Sequence, residues 1–412
     1  MRIALMTAHF YPEPAAGQRV HELCQTFAAA GFHTVVFTAT PDATLAAGHS
    51  EEMSRIEVRR LWSPIRSGIG LLRKTMAMLF FHGAAAIGVL TSGRKFDVIV
   101  SVSTPPLAHV TGACLSALCR SKHVFWCADL HPQSAIRLGL VGRNSLRARV
   151  MSYLNTWALR KCDVIVAVGS CMRDELIASG APAERTLVVP MWHRDDLSAR
   201  DTASEVSDLR SRLGLSGHFV AMYSGNLGRM HQFETVLDAA TRLTGEITFF
   251  VAGGGPGARA LGDFQARTGL PNLQCHPLFP EEELGVSLAL PNVHLITLRP
   301  EMCGVSVPGK LYGAMASGRP VIFIGPEGSE AARTIREERC GFVIAPGDTE
   351  GLVSALRSLK GDPELARGLG RRGRDAFQER YCMSKRTSQW VRVLECVVDV
   401  ELTASLAAAE GD

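Results

Sequence analysis

Short runs of branched and aromatic residues alternate with longer, helically periodic stretches along almost the whole chain. Arg2–Thr7, Thr34–Thr38, Ile56–Leu61, Val98–Ser103, His123–Ala128, Val164–Val168 and Thr186–Val189 read as strands, with helical stretches near Arg19–Ala30, Leu71–Leu90, Leu107–Leu118 and Leu146–Lys161. Apolar runs separated by helices fit a parallel sheet covered on both faces. The pattern lapses once, in the charged run HRDDLSARDTASEVSD, and a second series starts at Phe219–Tyr223. A chain of 412 residues also exceeds one core, since cores stop growing near ~250–300 residues.

The expected fold class is therefore α/β, with two Rossmann-like domains facing each other across a cleft. Residues 1–192 form the first, 193–216 the linker and 217–383 the second. A final helix from about Ser384 to Leu406 keeps apolar residues after the second sheet is complete, and residues 384–412 are expected to cross back onto the first domain.

The stretch VSVPGKLYGAMASGRPVIFIG, residues 305–325, carries the strongest local signal. Pro308 suits the first position of a helix, Leu311, Ala314 and Met315 share a face, and Gly318-Arg319-Pro320 ends it before the strand Val321–Ile324. Helix N-terminal amides draw anions, and Lys310 adds a positive charge, so a phosphate-bearing ligand is expected. An ordinary connection with a solvated lysine would read the same way.

Three more places carry chemistry. Gly17 precedes a helix at the end of the first strand, where open parallel sheets bind ligands, although a tight turn also explains it. In CADLHPQSA, Asp129 and His131 follow a buried strand; the carboxylate suits proton acceptance and the histidine suits orienting it, against the plainer reading of an N-cap. In YSGNLGRMHQF, Gly225, Asn226 and Gly228 precede Arg229 and His231, a set that suits a diphosphate. The run AGGGPGA after the next strand passes for a dinucleotide fingerprint, but no acidic residue ends the following strand, so a nicotinamide or flavin cofactor is not expected.

Composition excludes other classes. A net charge of +4 leaves no nucleic-acid footprint, and the eleven cysteines form no CxxC or Cys/His metal spacing. They read as buried free thiols in a reducing cytosol. No DxD pair or Walker lysine is present, so no metal and no cofactor are expected. The opening MRIALMTAHFYPEP is too short in its apolar part for a secretion signal. Thr75–Gly93 is uncharged, but a spanning helix there would break the first sheet. With Arg55, Arg59, Arg60, Arg66, Arg73, Lys74, Arg94 and Lys95 around it, the segment is expected to touch an anionic membrane surface peripherally, from the cytoplasmic side.

Six segments together, FYPEPAAGQRVHEL, STPPL, DLHP, YSGNLG, AGGGP and GVSVPGKLYGAMASGRPV, resemble retaining glycosyltransferases of the GT-B fold, family 4, in particular bacterial enzymes of surface-polysaccharide assembly. The resemblance implies transfer of a sugar from a nucleoside-diphosphate-sugar donor, held by the second domain, to a glycan or polyprenyl-linked acceptor at the first. It places Gly17 at the diphosphate or transferred sugar and Asp129 on the acceptor side. Asn226, Arg229 and Lys310 fall at the diphosphate, with Ser306 and Val307 beside them, and His276–Phe279, including Pro277 and Leu278, near the base. Asn226 and His231 stand where the family often has Arg and Lys, so Arg229 is expected to substitute. Val305 and Gly313 stand where it has two glutamates, so Glu330, with Glu301 behind it, is expected at the ribose. The alternatives are a sugar-nucleotide epimerase of the same fold and an inactive nucleotide-sugar-binding subunit.

Overall fold

The computed structural model describes residues 1–13, 16–40, 55–61, 71–198 and 203–399. Two compact units emerge, one of Met1–Pro190 with the chain from Thr387, the other of Met191–Arg386.

In the first unit, strands β1 (Arg2–Thr7), β2 (His33–Ala39), β3 (Ile56–Leu61), β4 (Val98–Val102), β5 (Lys122–Cys127), β6 (Val164–Ala167) and β7 (Thr186–Val188) lie between helices α1 (Ala16–Ala29), α2 (Leu71–Leu90), α3 (Ala108–Cys119), α4 (Gln133–Arg137), α5 (Leu146–Leu159) and α6 (Ser170–Ala178). The sheet runs β3-β2-β1-β4-β5-β6-β7, parallel throughout. Its central strands are buried along their length because both faces carry helices. Strand order reverses between β1 and β4, the switch point beyond whose strand ends open sheets bind ligands.

The second unit holds α7 (Ala203–Arg212), β8 (Val220–Ser224), α8 (Glu234–Arg242), β9 (Thr248–Ala252), α9 (Pro256–Thr268), β10 (Leu273–His276), α10 (Leu284–Ala289), β11 (Val293–Thr297), α11 (Lys310–Ala316), β12 (Val321–Ile324), α12 (Glu330–Glu337), β13 (Gly341–Ile344), α13 (Thr349–Gly361) and α14 (Pro363–Ala376). Its parallel sheet runs β10-β9-β8-β11-β12-β13, with the switch between β8 and β11. The last helix, α15 (Met383–Val398), brings Trp390 against Trp126 of β5, ring centroids 5.1 Å apart and both rings buried.

Several expectations differ from what is observed. Residues 203–212, within the expected linker, form α7, whose Val206 and Leu209 are buried; Leu209 and Leu215 join the core behind β8 and β9. Helix α11 starts at Lys310 rather than Pro308, because Gly309 caps it and only a single tight turn, Leu311 N–H to the Pro308 carbonyl at 3.1 Å, precedes it. Helix α12 falls in a segment for which no element is expected; Ser329 caps it by accepting from the Ala332 amide. The expected end of the last helix, 400–406, lies outside the described residues, as do Arg66 and, in the loop before α1, Pro14 and Ala15.

Candidate active site

In the second unit the chain folds Tyr223, His231 and Lys310 onto one point beyond the switch between β8 and β11. Tyr223 is the fourth residue of β8, His231 lies in the loop after it, and Lys310 opens α11. The Lys310 ammonium donates to the Tyr223 hydroxyl oxygen, sits 3.8 Å from the centre of that ring, and lies 3.5 Å from His231 Nε2. The Tyr223 hydroxyl donates its hydrogen bond to the Asn226 carbonyl at 3.0 Å, which leaves its oxygen lone pairs for the lysine. His231 Nδ1 lies 2.6 Å from the Thr297 carbonyl and must carry the ring proton, so Nε2 faces Lys310 as an acceptor.

Among the described residues no carboxylate pairs with this buried ammonium; its partners are a phenol, a ring face and a neutral imidazole. Desolvation therefore pulls the Lys310 pKa down from 10.5 to about 7. His231 falls to about 3, first through burial and then through the nearby lysine charge, so it stays neutral. Lys310 is thus not a standing full charge. It is an ammonium short of a counter-charge, and an anion beside it would hold the proton in place.

The glycines hold this loop in position. Gly225 has φ 131°, and a side chain there would stand 3.3 Å from Lys310 Nζ. Gly225 N–H donates to the Ala252 carbonyl at 2.9 Å and Leu227 N–H to Gly254 at 2.8 Å, while Gly257 N–H returns to Leu227 at 2.9 Å. A Cβ on Gly253 would lie 2.3 Å from the Gly225 oxygen. The run AGGGPG is thus glycine-rich because two backbone loops interlock.

In the first unit, Asp129 follows β5, and Ser103, after β4, fixes it: the Ser103 hydroxyl accepts from the amides of Ala128 and Asp129, each at 3.1 Å. Asp129 is not an N-cap, because Pro132 occupies that position before α4. His131 Nδ1 bonds Ser134 Oγ at 2.6 Å, and burial holds the ring neutral, with a pKa of about 4. Gly17 is buried, and a Cβ there would meet the Phe10 carbonyl carbon and oxygen at 2.8 Å, so the close approach that needs a glycine is to the chain's own loop.

A family model for the glycosyl transferase 4-like domain matches residues 15–192, and one for glycosyl transferases group 1 matches residues 218–362. The chain belongs to the glycosyltransferases. Among curated relatives, this glycosyltransferase is 24% identical over 374 residues to a putative colanic acid biosynthesis glycosyl transferase of Escherichia coli, covering 87% of this chain and 91% of that one. It is 25% identical over 294 residues to a probable glycosyltransferase of Pseudomonas aeruginosa, covering 70% and 72%. The solved structure of Anabaena HepE in complex with UDP superposes with a TM-score of 0.73 at 17% identity, covering 96% of this chain and 100% of that one. Sucrose-phosphate synthase from Thermosynechococcus elongatus gives 0.76 at 18%, covering 96% and 98%. The fold is GT-B.

Around the Lys310 centre the glycosyltransferase also places Gly225 and Asn226, and Arg229 is exposed two residues before His231. Arg299, which sequence reasoning missed, donates Nε to the Arg229 carbonyl at 3.0 Å and its amide to the Met230 carbonyl, pinning that loop. Its only signal is a cation shortly after β11. Ser306 and Val307 lead into α11. Pro277 and Leu278 are exposed beside stacked His276 and Phe279, centroids 4.6 Å apart. Glu330, expected at the ribose, is 4% exposed at the start of α12, with its carboxylate 2.6 Å from Arg333. At Gly313 a Cβ would come 2.9 Å from His193 Cδ2, so the imidazole fills the space a glutamate would need. Among the described residues no cluster of three or more His, Cys, Asp or Glu could hold a metal ion.

Proposed function

We propose that the protein transfers a sugar from a nucleoside-diphosphate-sugar to a glycan or polyprenyl-linked acceptor in polysaccharide assembly, with retention of anomeric configuration and without a metal. One observation carries the donor class: a buried ammonium at the β8/β11 switch with no carboxylate partner among the described residues. A diphosphate supplies what Lys310 lacks, and the UDP and UDP-glucose complexes of Anabaena HepE support that choice. As the sugar–phosphate bond breaks, charge builds on the leaving diphosphate, and the Lys310 ammonium and exposed Arg229 stabilise it. The Asp129 carboxylate, held by Ser103, serves the acceptor hydroxyl. The relative named for colanic acid biosynthesis supports a place in polysaccharide assembly, and the membrane-borne acceptor is read from the family resemblance. Retention follows from the family resemblance. The epimerase and inert-subunit alternatives draw no support from two domains that both describe transferases.

The deciding experiment is a thermal-shift panel with UDP, GDP, dTDP, ADP and NAD. A ligand at ~100 times its dissociation constant adds ~2.7 kcal/mol. One nucleoside diphosphate is expected to raise the midpoint, UDP first. Stabilisation by NAD alone would overturn the reading. Undiminished sugar transfer in EDTA is the matching expectation for a metal-free reaction.

A further inference from the structure

From Met76 to Leu90, helix α2 carries a single polar side chain, His82. Phe81, Ala85 and Val89 face the sheet core, while Met76, Leu79, Phe80, Ile87 and Leu90 are 40–63% exposed on the opposite stripe. Its one polar ring, His82, turns to the α3 side, bonding the Pro106 carbonyl and Thr111, each at 3.0 Å. Helix α3 packs against both α2 and α5. Along α5, Leu146, Val150 and Tyr153 are 49–76% exposed at helical spacing. The starts of α2 and α5 are tied by Arg147 Nη2 donating to Thr75 Oγ1 at 3.0 Å. Nine of the twelve exposed large apolar side chains among the described residues lie on α2, α3 and α5, so the patch is a concentration rather than surface scatter.

Charge identifies the occupant. These three helices contain no Asp or Glu. Arg73, Arg120, Arg143, Arg149 and Arg160 are exposed on and around them, and no ion pair among the described residues joins any of them to a carboxylate. We infer that this layer docks on an anionic bilayer surface, its apolar side chains entering the interface and its arginines meeting lipid phosphates. A second copy of the chain would bring like charges together. No helix among the described residues is long and apolar enough to cross a membrane, and α2 is held to its own sheet core, so the layer lies on the bilayer. The inference rests on the reading of the acceptor as membrane-borne, and supplies the surface by which the enzyme reaches it.

The test is cosedimentation of the full chain with vesicles of phosphatidylcholine alone and of phosphatidylcholine with phosphatidylglycerol, without donor or acceptor. Binding to the anionic vesicles is expected, roughly tenfold or more above the neutral ones and weakened by salt. Phe80→Ser with Ile87→Ser, both at exposed positions, should cut it at least roughly tenfold with an unchanged melting midpoint; Arg143→Glu with Arg149→Glu should act similarly. Equal binding to neutral vesicles, no binding, or binding indifferent to both pairs would overturn the inference. So would loss of a dimer, rather than of vesicle binding, in Phe80→Ser with Ile87→Ser. Vesicle binding alongside transfer confined to a water-soluble acceptor would instead sink the acceptor reading and leave the surface standing.

Discussion

Replacing Lys310 with methionine separates binding from stability. The fall of its pKa from 10.5 to about 7 means the protein alone disfavours the ammonium, by roughly 5 kcal/mol at 1.36 kcal/mol per pH unit. Methionine keeps the length of the stem and removes that cost, so the melting midpoint should hold or rise. A bound diphosphate meets the ammonium through charge-assisted hydrogen bonds worth about 1.5–3 kcal/mol, so its loss should weaken nucleoside diphosphate affinity roughly 10- to 150-fold. Isothermal titration calorimetry measures the affinity, and a thermal scan without ligand measures the stability. If the Lys310→Met variant melts well below wild type and binds UDP as tightly, the lysine holds the fold and the anion argument is wrong.

Three further outcomes follow from the same geometry. Because the folded pKa of Lys310 lies below its unfolded value, the unfolded chain binds more protons between about pH 7 and 10.5, and this group makes stability rise with pH across that window. Diphosphate affinity should run the other way, falling as pH climbs above about 7, and Lys310→Arg should flatten that profile because its charge persists; a wild-type affinity constant from pH 6 to ~9 would contradict the assignment. Asp129→Asn should lower sugar transfer by ~100-fold or more, with nucleotide affinity unchanged; equal loss of both would mean it supports the fold. Gly253→Ala forces the loop at Gly225 to shift and should cost ~1–3 kcal/mol of stability by thermal unfolding as well as nucleotide affinity.

Much of the architecture is legible in the residues, because burial on both faces writes strands as unbroken apolar runs. Strands β1, β3 and β12 fall on the expected residues. Helices with mixed composition, such as α7 and α12, are harder, since the charged residues that cover their outer faces mask the apolar spacing beneath. The site is legible in part. Lys310, His231 and Gly225 are marked by their loops, but Tyr223 reads as one more buried strand residue, and nothing local says that its phenol receives the lysine. The absence of a carboxylate beside Lys310 is a property of three segments meeting, 87 residues apart in the widest case. Nor does the local sequence show that the Glu330 carboxylate meets Arg333, one helical turn on, at 2.6 Å.

The Trp126–Trp390 contact has a consequence for how the protein is made. Strand β5 of the first unit is complete early in synthesis, yet the indole that covers Trp126 arrives more than 250 residues later. At ~5–20 residues per second, the ribosome needs on the order of 10–50 s between the two. During that interval the nascent first unit carries an uncovered aromatic face while the second unit, continuous in sequence, can fold to completion. Truncations before Trp390 should therefore yield an intact second unit attached to a first unit that aggregates, and the end of the chain is a poor site for deletion.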